Sequence, residues 1–225
     1  MDYSEILESL ESLADPKAIE GMARFGIRPE RTYGVSIPNL RGIARGVGVN
    51  HELAGWLWLS GSRETRILAS MIDDPSEVTE AQMERWASDF DYWEICDQVC
   101  TNLFQKTAFA WQKAVEWSSH DEESFKRAAF VLISRLAVTE KNATDAQFEA
   151  FFPLIEIGAG DERNMVKKAV SWAIRQIGKR NLALNAGAIE IAEAIQKQDS
   201  RSAKWVASDA LRELRSDAVQ QRLQR

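Results

Sequence analysis

Ten residues near the middle of the chain, DYWEICDQVC at 91–100, hold the first pair whose types and spacing could do chemistry. Trp93 and Asp97 are four apart, so on a helix they stack on one face. Tyr92, Ile95, Cys96, Val99 and Leu103 read as the apolar stripe of that helix, and the Trp–Asp edge is turned about a quarter of a circle from it. A carboxylate beside an indole at a helix edge sets a fixed negative charge against an aromatic face. The plain alternative is an indole packed on a neighbouring helix and an acid paired with a nearby Lys or Arg.

Two other segments offer partners for a polyanion. In SFKRAAFVLISR, Phe125, Ala129, Leu132 and Leu136 read as the buried stripe, and Arg127 as pointing away from it. A guanidinium fork suits phosphate oxygens, although solvation or a structural ion pair accounts for the same residue. In DERNMVKKAVSWAIRQIGKR, 161–180, about 100° per residue puts Val166, Ala169, Val170, Ala173, Ile174 and Ile177 on one face. Lys168, Trp172, Arg175 and Lys179 fall on roughly the opposite side. An indole among three cations, away from the apolar stripe, reads either as a nucleic-acid surface or as a Trp lying against a neighbouring helix above a solvated basic edge.

The elements that must position these residues are helices. Alternating apolar–polar runs are absent, and the 12 Gly and 5 Pro sit at helix edges. Helices are expected at 3–14, after Asp15-Pro16, at PNLRGIARGVG after Ser36, at HELAGWLWLSG after Asn50 and at RETRILASMID after Ser62. Thr79–Gln82 and Thr144–Gln147 read as capping boxes, and Asp91–Glu94 as their acidic analogue opening a helix through about Gln105. Further helices are expected at 109–118, 122–138, 145–159, 162–179, 183–197 and 201–215. Strong start signals at Ser36, Thr79, Asp121, Asp161 and Ser200 recur at intervals of 43, 42, 40 and 39 residues, the spacing of HEAT-type helix pairs. The expected fold is therefore all-α: a HEAT-like α-solenoid of antiparallel helix pairs with a concave face, in one continuous domain over 1–225. An irregular helical bundle is the alternative.

Composition narrows the function classes. The chain of 225 residues is 45% apolar and 28% charged, with short interrupted apolar runs, so no membrane span is expected. Its acidic, amphipathic first residues do not read as a signal peptide. Cys96 and Cys100 read as packing thiols, and with only His51 and His120 available neither a zinc site nor a histidine-activated nucleophile is expected. There is no Gly-rich phosphate loop. The net charge is −6, yet from Asp161 onward there are 13 basic and 8 acidic residues, net +5, against 15 and 26, net −11, before it. Such an acidic body with a basic end can meet a polyanion with one face.

Six segments in order resemble the AlkD-type DNA alkylation-repair proteins, the HEAT-like DNA glycosylases. They are YGVSIPNLRGIA (33–44), WLSGSRETRILA (58–69), FDYWEICD (90–97), FKRAAFVL (125–132), DERNMVKKAVSWAIRQIGKR (161–180) and RSAKWVASDALREL (201–214). The resemblance implies a monofunctional glycosylase that hydrolyses the N-glycosidic bond of N3- or N7-alkylated, cationic purines in duplex DNA. The family's active-site residues carry over as Trp93, Asp97, Arg127 and Trp172. Asp97 would stabilise the oxocarbenium-like state and position water. Trp93 and Trp172 would contact the lesion nucleotide through cation–π and stacking contacts, and Arg127 a phosphate. Lys126, Lys168, Arg175, Lys179, Arg180 and Arg201 are the expected DNA-binding cations. No cofactor or metal is implied. The expected partner is double-stranded DNA with alkylated bases. The protein is expected to be a cytoplasmic monomer, on the nucleoid when DNA is bound. The alternative function is a non-catalytic HEAT-like module that binds DNA structure or another protein. The acidity of the chain departs from the family's strongly basic concave faces.

Overall fold

The computed structural model describes residues 1–27 and 31–224, and among them it contains helices, turns and loops but no strand. The chain forms two compact units, 1–108 and 109–225.

The first unit holds α1 (Tyr3–Ser12), α2 (Pro16–Met22), α3 (Ile37–Val47), α4 (His51–Ser60), α5 (Arg63–Ile72), α6 (Glu80–Ser88) and α7 (Trp93–Asn102). The helices α3, α5 and α7 pack side by side in a row. Gly61, at φ 74°, ends α4 in the left-handed region that a residue with a Cβ avoids. Ser62 then starts α5 at once: its hydroxyl accepts from the Thr65 amide while the Thr65 hydroxyl accepts from the Ser62 amide. So short a turn folds α5 back on α4. The core of this unit is aromatic. Trp58 and Trp86 stack with centroids 4.0 Å apart and planes 3° apart, and Phe90 and Phe104 close round them.

The second unit holds α8 (Ala110–Glu116), α9 (Glu123–Thr139), α10 (Asp145–Glu149), α11 (Phe152–Gly158), α12 (Asn164–Ile177), α13 (Leu182–Gln196), α14 (Arg201–Leu214) and α15 (Asp217–Leu223). Here α9, α12 and α14 form the row. Their register is constant. Arg127 reaches Met165, Ser171 reaches Asp209 and Arg175 reaches Glu213, each link spanning 38 residues. All six apolar residues expected on the core face of α12 are buried. The end of α12 comes so near its neighbours that a Cβ on Gly178 would lie 2.7 Å from Leu214 and 2.9 Å from Ala188.

Several expectations change. The segment 145–159 is two helices, because Pro153 takes a first-turn position and a new helix starts there. The segment 91–105 is α7 followed by a 3₁₀ turn at Phe104–Lys106. Helix α15, unforeseen, is capped by Ser216, which accepts from the Val219 amide. At Thr79 only half of the capping box forms, since Gln82 turns its amide to Asp73. The repeat is also uneven. Row helices start at 37, 63 and 93 in the first unit, intervals of 26 and 30, and at 123, 164 and 201 in the second, intervals of 41 and 37. A period near 40 describes the second unit only, and Thr79 opens a helix outside the row.

Candidate active site and nucleic-acid interface

Helix α7 carries Trp93 in its first turn and Asp97 one turn later. Ile95, Cys96, Val99 and Cys100 are buried, while Trp93 and Asp97 are half-buried on the edge beside them. The indole Nε1 of Trp93 donates to the Phe25 carbonyl at 2.9 Å, so the ring is tied to the 3₁₀ turn Ala23–Phe25.

A buried ionic cluster holds the start of α7. Tyr92 rather than an acid is the N-cap, and no side chain caps the helix. Glu94, expected to serve a cap, instead binds Arg63 of α5 with both oxygens: Arg63 Nε and Nη2 donate at 2.7 Å each. Arg63 Nη1 donates to Glu64 and to the Val35 carbonyl, both at 2.9 Å. Glu64 is fully buried. It accepts from the Thr32 hydroxyl at 2.9 Å and from the amides of Tyr33, Gly34 and Val35 at 3.0, 3.1 and 3.2 Å. Burial works against the charge on Arg63, but Glu94 and Glu64 outweigh it and leave the guanidinium more basic than usual. Gly34 completes the cluster. At φ 77°, its missing Cβ would lie 2.3 Å from the Asp15 carbonyl, so glycine alone fits the loop that Glu64 grips. Gly34, Val35, Arg63 and Glu64 lie within the segments 33–44 and 58–69. The sign was present: Glu64 is three and four residues before Ile67 and Leu68, on the apolar stripe of α5.

Arg127 differs from its sequence reading. Helix α9 is buried almost all round, with α8 and α12 packed on it, so it has no solvent face at this position. Arg127 is 7% exposed, and its Nη1 donates to the Met165 carbonyl of α12 at 2.6 Å. Trp172 stands half-buried on α12, the helix that Arg127 grips. Trp93 and Asp97 thus share one edge in unit 1–108, and Arg127 and Trp172 lie on adjacent helices in unit 109–225.

The basic stripe of α12 is largely neutralised. Arg175 is bonded to Glu213 and lies 3.5 Å from Asp209, and Lys179 binds the same Glu213, all across to α14. Burial would raise the Glu213 pKa, yet these two cations lower it. Lys126 lies 3.3 Å from Asp161, which Arg163 also holds. Burial pushes Asp161 up, but the bonds from Arg163 and Lys126 prevail and bring it to about 2. Arg180 donates to the carbonyls of Ala137 and Glu140 at 2.7 and 2.9 Å and stacks 4.0 Å over Phe148, a role inside the fold. Lys168 and Arg201 are exposed. Helical phase alone could not foresee this, because it does not show that a neighbouring helix brings acids at the same register.

The description "DNA alkylation repair enzyme" fits a family model matched by residues 6–221, almost the whole chain. The chain belongs to this family. One solved structure matches over 94% of this chain and 95% of its own, with a TM-score of 0.78 and 18% identity. It represents a family of proteins related to the HEAT-like repeat DNA glycosylases with affinity for branched DNA structures. At that identity the likeness establishes the fold: this family member is an all-α, HEAT-like repeat protein. An engineered protein and a designed armadillo repeat protein, each 15% identical over 79% of this chain, give TM-scores of 0.43 and 0.36. No curated protein matches the chain. No described helix of this family member is long and apolar enough to cross a membrane.

Proposed function

We propose that this DNA alkylation repair family member is a glycosylase that releases N3- or N7-alkylated purines from duplex DNA. The observation that carries the reading is the pairing of Trp93 and Asp97 on one partly open edge of α7, a helix anchored from below by the Arg63–Glu94 pair. Alkylation puts a positive charge on the base and makes it a good leaving group, so little acid catalysis is needed. C1′ then passes through an oxocarbenium-like state. Asp97 supplies the fixed negative charge beside it and holds the attacking water. Trp93, with its N–H already engaged, offers the ring face to the cationic nucleotide, and Trp172 offers another from the second unit to the same DNA. Arg127 supports this by fixing α12 through its bond to the Met165 carbonyl, and any phosphate contact competes with the bonds it already makes. Lys168 and Arg201 are the cations open to the backbone. Lys126, Arg175 and Lys179 serve DNA only in competition with the carboxylates they hold, and Arg180 is the weakest contact.

Base release from methylated duplex tests the reading. The native protein is expected to release alkylated base, and Asp97→Asn to slow release by about 100-fold or more, the usual cost of losing a preorganised charge. Trp172→Ala is expected to weaken release and binding together. Release by the native protein no faster than in buffer removes the enzyme reading, while native-like release by Asp97→Asn removes the role of Asp97.

A second reading is a member of the family that binds DNA structure without catalysis. The affinity for branched DNA in the relative with the shared fold favours it. The same assay separates the two.

A further inference from the structure

One aromatic side chain in the second unit has no part in the site above. Trp205, in the second turn of α14, is 40% exposed, although Ser202, Ala203, Val206 and Ala207 around it are buried. The ammonium of Lys167 on α12 stands 5.5 Å from its ring centroid. The 38-residue register of α12 and α14 places 205 beside 167, and Trp172 five residues, roughly 7–8 Å, further along α12. Lys168 and Arg201 are exposed, and Lys204 is 55% exposed with Asp199 3.5 Å away. Glu162 accepts from the Ser200 hydroxyl and the Ser202 amide. Lys167, Lys168, Arg201 and Lys204 thus gather round a part-exposed indole in a chain whose net charge is −6, with Asp209, one turn along α14, engaged by Ser171 and Arg175.

We infer that Trp205 is a stacking platform for an unpaired nucleotide, with Lys167, Lys204 and Arg201 contacting the phosphates on either side. The inference rests on the reading of the protein as DNA-binding, with or without catalysis, and adds a preference within DNA. An indole can stack only on a base whose face is uncovered. In an intact duplex the neighbouring pairs cover both faces, so the platform fits a gap, a frayed end, a fork or a branch. Cations alone would not make this distinction, because phosphates occur in every DNA.

The test is the affinity of the full chain for two fluorescent DNAs of equal length, one an intact duplex and one with a short single-stranded gap, measured by anisotropy at several salt concentrations. The native protein is expected to prefer the gapped DNA. Trp205→Ala should weaken gapped binding about tenfold and duplex binding less than twofold. Trp205→Phe should keep most of the preference, and Lys167→Ala should lose part of it and lower the salt slope by about one charge. Thermal melting of each variant identifies any loss that comes from folding, and Trp205→Phe then carries the comparison. Equal native affinity for both DNAs, or an equal loss on both with Trp205→Ala, overturns the platform while leaving DNA binding in place. No native binding to either DNA overturns the DNA-binding reading itself.

Discussion

Residues 1–108 carry 10 basic and 18 acidic side chains, net −8, and residues 109–225 carry 18 and 16, net +2. The unit with the larger imbalance buries its most important charges. Arg63, Glu64 and Glu94 lie at most 7% exposed and satisfy one another and a loop of backbone amides. In the nearly balanced unit a second charge cluster lies at the rim of the helix row, where Arg175 and Lys179 share Glu213 at partial exposure. A buried pair holds its members in one geometry, since breaking it strands a charge in low dielectric. A rim pair is weak and exchangeable. In the proposed glycosylase the first arrangement would hold Trp93 and Asp97 still. Under the same proposal the second would let Arg175 and Lys179 exchange carboxylate for phosphate.

The largest effect that would break this contrast is expected at Arg63. Arg63→Met leaves Glu94 and Glu64 buried without their cation and should cost about 3–5 kcal/mol, read by urea unfolding followed by circular dichroism. A loss below about 1 kcal/mol would place the cluster with ordinary surface pairs. Next is Gly34→Ala, where the φ of 77° and the 2.3 Å approach to the Asp15 carbonyl should cost about 2 kcal/mol or more in the same experiment.

In the second unit the contrast is sharpened by freeing cations. Glu213→Gln is expected to cost about 1 kcal/mol or less in stability. It should raise duplex affinity several-fold at low salt and steepen the salt dependence by up to two charges, because Arg175 and Lys179 become available. An unchanged salt slope would mean that these two never reach DNA.

The smallest effect is pH-dependent. Asp161 has its folded pKa lowered from 3.8 to about 2, so its stabilisation is full above pH 4 and is lost as the pH falls toward 2. Arg163 is 35% exposed, and with solvent screening the contribution is about 1 kcal/mol. Asp161→Asn should therefore be less stable than the native protein by about 1 kcal/mol above pH 4, with the two acid-unfolding curves converging as the pH falls toward 2. Curves that stay apart below pH 2 would assign the difference to something other than this carboxylate.

Much of the molecule was readable in one dimension, for reasons that are local. Helix starts at Ser36, Asn50, Ser62 and Ser200 depend on a side-chain oxygen meeting an amide two or three residues on, and each of these caps forms. The apolar stripe of α12 follows from periodicity, and the shared edge of Trp93 and Asp97 from a spacing of four. What a charged residue does is not local. Arg127, Arg175 and Glu94 each carry a charge and a helical phase, and nothing in either says whether water, a carbonyl or an acid from a helix 31 or 38 residues away will meet it. Only packing decided that Glu94 locks α7 instead of capping it, that Arg127 lies inside the row, and that Glu213 quenches the stripe on α12. Backbone and apolar patterns act over a turn or two of chain, whereas a charge is settled by whichever group the fold brings within about 4 Å of it.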